Sequence, residues 1–171
     1  CSPIGLKKNN MKLLLENWKR FINENEETMM KMSLYDFDQT EKGWRSFKNP
    51  SDQVRVIKKY IQINPDSIED LLLIWHLGQA LAFSGDTSES IQLMKQINSK
   101  EPHQYNKLYQ LFTIFFLEKD MKQFNSLYDQ YKGQIAANKD DSNIQIVKCM
   151  KQCGDKNNFD YKSAYTTRCK C

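Results

Sequence analysis

The chain has 171 residues, a net charge of +4, and only 6 Gly and 4 Pro. That length allows one domain with a sizeable core, and sparse Gly and Pro beside many Leu, Ile, Lys and Gln favour helices over sheets. No run of 18 apolar residues is present, which excludes a spanning helix, and the mild charge with interspersed Lys and Glu reads as a solvated surface rather than a nucleic-acid-binding face.

Cys1 stands first, where a newly made chain normally carries Met, so the N terminus reads as processed. Residues 1–10 follow as a short polar tether. Cys1-Ser2 with this tether resembles a mature bacterial lipoprotein, which implies a covalent lipid at Cys1 and anchoring to a bacterial membrane. The alternative is an arbitrary chain boundary. Residues 11–33 predict an N-terminal amphipathic capping helix, with Leu14, Trp18, Phe21 and Ile22 at helical spacing and Lys12, Glu16, Lys19 and Arg20 between them. The acidic run Glu24–Glu27 argues against binding to an anionic surface.

Leu34–Phe47 is ambiguous, and Gly43–Phe47 reads as a weak first helix of a pair. Ser51 is expected to cap a helix running to about Ile63. Asn64-Pro65-Asp66-Ser67 is a turn, and Ser67 with Asp70 looks like a capping box opening a helix over Ile68–Phe83. Leu71–Trp75 is apolar on nearly all sides, so this helix is expected to be the most buried. Gly85 is placed to end it and Asp86 or Thr87 to cap the next. Gly78, inside the helix, allows close approach of a neighbour. Further helices are expected over His103–Glu118, Met121–Gln134 and Asn143–Gln152, with 138–142 a polar loop.

A shift of 34 residues carries Leu77, Leu81 and Met94 onto Leu111, Phe115 and Tyr128, and Asp86 onto Asp120. The reverse shift brings Ile91 to Ile57 and Asp86 to Asp52. A period of this size marks stacked helix pairs. On Leu77, Gly78, the Gly85-Asp86 turn, Pro65 and Pro102, residues 34–155 resemble the tetratricopeptide repeat family. Ser90 and Phe112 depart from its pattern, standing where the family has Ala and Gly. The resemblance implies an all-α solenoid of stacked antiparallel helix pairs. It also implies a concave groove for protein segments, with His76, Gln79, Gln110 and Thr113 as exposed groove candidates.

Residues 156–171 form a Cys-containing tail. Setting Cys1 aside leaves Cys149, Cys153, Cys169 and Cys171, an even number. In an exported protein they read as two disulfides, each joining one of Cys149 and Cys153 to one of Cys169 and Cys171. A Cys₄ zinc site is the alternative, although neither Cys-x₃-Cys nor Cys-x-Cys has the usual ligand spacing. With two His residues, His76 and His103, and no nucleophile, metal or phosphate-loop motif, no catalytic residues, metal or cofactor are expected. The expectation is a non-catalytic interaction module, an accessory subunit of an exported, membrane-associated complex whose partners are other proteins. A second reading is a ligand-binding or enzymatic helical domain, its pocket lined by Trp44, Trp75 and Phe112–Phe116. A third is a purely structural cap.

Overall fold

The computed structural model describes residues 26–165 and 169–171, and all regular structure among them is helical. Residues 26–30 are helical. Then come α1 (Leu34–Gln39), a 3-10 turn (Trp44–Ser46), α2 (Pro50–Ile63), a second 3-10 turn (Pro65–Glu69) and α3 (Leu71–Ser84). They are followed by α4 (Thr87–Lys100), α5 (Gln104–Leu117), α6 (Met121–Gln130), α7 (Lys132–Ala137), α8 (Ser142–Asp155) and α9 (Tyr161–Ala164).

Local chemistry sets the boundaries. Asn49 caps α2 by accepting from Ser51 N, with Pro50 at the first helical position, where its missing N–H costs nothing. The Asp70 carboxylate accepts from Leu73 N at 2.8 Å and opens α3. Gly85, at φ +96°, ends α3, and Asp86 N–H reaches back to Leu81 O at 2.9 Å. The same closure recurs after α5, at Lys119 (φ 59°) with Asp120 N to Phe115 O, and after α8, at Asn157 (φ 56°) with Asn158 N to Cys153 O. Each bond satisfies a carbonyl that the helix end leaves unpaired.

α3 packs against α2 on one side and α4 on the other; α4 meets α5, α5 meets α6 and α8, and α9 returns to α8 and α3. Nine of the 14 residues of α3 are buried, because its apolar residues point both ways. Leu73, Leu77 and Leu81 join a cluster with Phe37, Ile57 and Tyr60. Ile74, Trp75 and Ala82 join another with Phe112, Phe124 and Met150. The expected close approach at Gly78 is present: a Cβ there would lie 3.0 Å from Met94 Cγ, and Ser90 Oγ donates to Gly78 O at 2.7 Å.

α3 and α5 start 33 residues apart, and α4 and α6 start 34 apart. The spacing widens to 38 between α5 and α8, because α7 is inserted. Gly43–Phe47 forms one 3-10 turn rather than a helix, and Pro50 bars any run through it into α2. Ser67 does not open α3; residues 65–69 are a 3-10 turn, and Asp70 takes the capping role. The helix expected over 121–134 breaks at Tyr131 into α6 and α7. Most of the helix expected over 11–33, the tether 1–10 and Cys1 lie outside the described residues.

Candidate functional site

A cleft of about 480 Å³ opens between α3 and α5. Its walls take Trp75, His76 and Gln79 from α3, Tyr109 and Gln110 from α5, and Tyr165 from beyond α9. Asp70 and Glu101 also border it. Three of the four expected groove residues therefore meet in one cleft. Their exposure differs from expectation, since Gln79 and Gln110 are buried, and Thr113 is fully buried and lies outside the cleft lining. The Thr113 hydroxyl donates to Tyr109 O at 3.1 Å, one turn back along α5. Helical phase points a residue toward a neighbouring helix but does not say how closely that neighbour packs.

The buried amides hold other groups in place. Asn98 Nδ2 donates to Gln110 Oε1 at 3.2 Å, and Gln110 Nε2 donates to Glu101 Oε2 at 3.3 Å. Glu101 Oε1 accepts from His103 N at 3.0 Å. All of these donors are neutral, so the Glu101 carboxylate is fixed without being neutralised. Gln79 Nε2 donates to the Tyr165 hydroxyl at 3.1 Å. The hydroxyls of Tyr109 and Tyr161 are buried together, beside the Thr113 hydroxyl, with Tyr165 next to Tyr109 and Gln79 next to Tyr161. Burial, reinforced by the neighbouring phenols, raises both well above the usual tyrosine pKa, so both stay protonated at neutral pH.

An adjoining cavity of about 190 Å³ shares His76, Gln79 and Tyr165 with the cleft and adds Trp44, Arg45 and Phe83. Beside it His76 Nδ1 donates to the Asp38 carboxylate at 2.8 Å, and Trp44 Nε1 donates to the same carboxylate at 2.9 Å. Gln39 Nε2 is a third donor to Asp38. This tautomer leaves His76 Nε2 to accept from Arg45, 3.4 Å away, whose guanidinium lies 4.1 Å from the Trp44 ring centroid. Burial pushes the Asp38 carboxyl up in pKa, but the hydrogen bonds from His76 and Trp44, with the nearby Arg45 guanidinium, outweigh burial and hold it below the usual value. The group facing His76 Nε2 is thus a guanidinium, not a hydroxyl or thiol.

Phe112 and Phe116 are fully buried against Phe124 and Phe159, away from both openings. Trp75 lines the cleft and Trp44 the adjoining cavity, so the expected aromatic set does not surround one pocket. Apolar side chains also form a groove of about 340 Å³ between α2, α3 and α4, including Ile61, Ile74 and Leu93.

Cys149 pairs with Cys169, and Cys153 with Cys171, at Cα separations of 5.0 and 5.3 Å. The expected crossing between the two groups is present, and the four sulfurs form two bonded pairs rather than one tetrahedral cluster. Among the described residues, no group of three or more His, Cys, Asp or Glu could hold a metal ion. The bridges tie the chain end to α8 while Tyr161 and Tyr165 pack on Phe83 of α3. The sequence reading missed Asp38, Arg45, Glu101, Tyr109 and Tyr165, which come from separate elements and share no motif. Compared with protein-family models, curated proteins and solved structures, the chain gives no match.

Proposed function

We propose that this chain is a protein-binding module that receives a segment of another protein in the cleft between α3 and α5. The observation that carries this reading is the cleft itself. It has one aromatic wall from Trp75, Tyr109 and Tyr165, and fixed polar groups at Gln79, Gln110 and Glu101. Ligand sites combine apolar walls with a few oriented polar groups in this way. The 33- and 34-residue offsets between corresponding helices of successive pairs, with the matched turns at Gly85 and Lys119, support a tetratricopeptide-like solenoid. In such an array the first helices of successive pairs line the concave surface.

Two disulfides support an exported protein, since such bonds persist in oxidising compartments. A lipid at Cys1 would hold the module at a bacterial membrane as an accessory subunit of an envelope complex. An intact mass above the polypeptide by several acyl chains supports the anchor, and the bare-chain mass removes it. The binding reading is tested by selecting short displayed peptides on the oxidised protein. Enrichment that disappears when Asn106→Arg blocks the cleft supports it. Selection without enrichment, or enrichment that Asn106→Arg leaves intact, refutes it.

A further inference from the structure

We infer that one end of the helix stack, where α2 connects to α3 and α4 to α5, is the contact surface for a second copy of this chain. The end of α2, the start of α3, the end of α4 and the start of α5 come together here, whereas the Gly85 and Lys119 turns lie at the other end. Among the described residues, five large hydrophobic side chains are exposed: Tyr35, Ile63, Ile68, Leu72 and Tyr105. All five fall at this end. Ile63 closes α2, Ile68 stands in the 3-10 turn that follows, Leu72 lies in the first turn of α3, and Tyr105 lies in the first turn of α5. Tyr35 follows Leu34 at the start of α1, and Leu34 shares a cavity lining with Ile63 and Pro65. Single exposures scattered over a surface are ordinary. These five together expose roughly 500 Å² of apolar surface, the size of a patch that meets another molecule.

The nature of the occupant follows from what the surface carries. The apolar groove between α2, α3 and α4 is lined by Ile61, Leu71 and Leu93, and Ile68, 58% exposed, stands on its rim. Glu69 and Lys100 belong to the same lining and are both exposed. Among the described residues neither has an ion pair, whereas the groove's other lysine, Lys58, is already held by Glu89 at 2.7 Å. One surface therefore holds an apolar projection, an apolar recess and two unpaired charges of opposite sign. Such a surface is complementary to itself. In a two-fold dimer, a residue i that contacts j is matched by j contacting i. Ile68 of each copy then enters the groove of the other, and Glu69 of each meets Lys100 of the other. A stable interface covers about 800 Å² per partner, so roughly 500 Å² of apolar surface supplies about 60% of it, close to the apolar share of homodimer contacts. The exposed acids Asp66 and Glu69 beside Ile68 disfavour an anionic lipid surface as the occupant.

The test is sedimentation equilibrium of the oxidised full chain across a wide concentration range. The weight-average mass should rise from 20.2 kDa toward twice that value, with half-association at about micromolar concentration or below. Ile68→Asp changes an exposed side chain, so the fold is retained, and it should weaken association at least about tenfold. Glu69→Lys and Lys100→Glu should each weaken it severalfold, and the double variant, which exchanges the two charges, should recover it. A monomer at every concentration overturns the inference, and the patch is then left to a different protein or to residues 1–25 of the same chain. Association that Ile68→Asp leaves unchanged, or that the charge exchange fails to recover, overturns it as well. The readout is self-association rather than peptide binding, so its failure leaves the protein-binding cleft standing.

Discussion

The sharpest consequence concerns the C-terminal segment, because two disulfides and two tyrosines connect it to the cleft. Cys149–Cys169 spans 20 residues and Cys153–Cys171 spans 18. Closing a loop of about 20 residues removes chain entropy worth about 3 kcal/mol. The second bridge adds less, about 2 kcal/mol, because the first leaves only the short arcs 149–153 and 169–171 free. Reduction should therefore weaken the docking of residues 156–165 and 169–171 by up to about 5 kcal/mol. Buried Tyr161 and Ala164 must then hold the segment largely by packing. Tyr165 accepts from Gln79 and borders both the cleft and the adjoining cavity, so loosening it opens a wall of the site. The assay is limited proteolysis with and without reductant, read by mass spectrometry, alongside hydrogen exchange of Gln79 and its neighbours in α3. Cleavage should move first into 156–171, while residues of α3 to α5 stay protected. Unchanged protease resistance of the tail after complete reduction would refute the reasoning, as would loss of protection across α3 and α4 at the same rate.

Three further outcomes follow from the same structure. Asp38→Ala leaves the partly buried donors Trp44 Nε1 and His76 Nδ1 without their acceptor and should destabilise the fold by about 2 kcal/mol in urea unfolding; a loss below about 0.5 kcal/mol contradicts this. The Asp38 and Glu26 carboxyls both have folded-state pKa values below their ordinary 3.8 and 4.5, Glu26 through its bond to Arg55, against burial and with Lys59. Their contribution is present above those values and is lost as pH falls through the lower folded ones, so thermal stability should drop below about pH 4.5 and a flat profile there refutes the sign. Lys119→Gly, at φ 59°, should stabilise by about 1 kcal/mol, whereas Gly85→Ala, at φ +96°, should destabilise by a similar amount; changes of the same sign in thermal melts exclude the left-handed-turn argument.

Residue pattern alone determined the all-helical class, the deep burial of α3, the Gly85 turn, the close approach at Gly78 and the linking of two cysteine groups. These follow from short-range rules: helical spacing, the conformational freedom of glycine, and the pairing of an even number of thiols. The helix break at Tyr131, the 3-10 turn at Trp44–Ser46 and the cap at Asp70 needed the folded chain, because local propensity there was ambiguous. The cleft depended still more on tertiary structure. His76 and Gln110 were legible as cleft residues because each shows its helical face in the sequence. The burial of Gln79 was not legible, because its partner Tyr165 lies 86 residues further along the chain. Asp38 reaches His76 across 38 residues, and Glu101 reaches Gln110 across a loop. Such pairings are fixed by how helices pack and where the disulfides pin the chain end, and no local pattern encodes that distance.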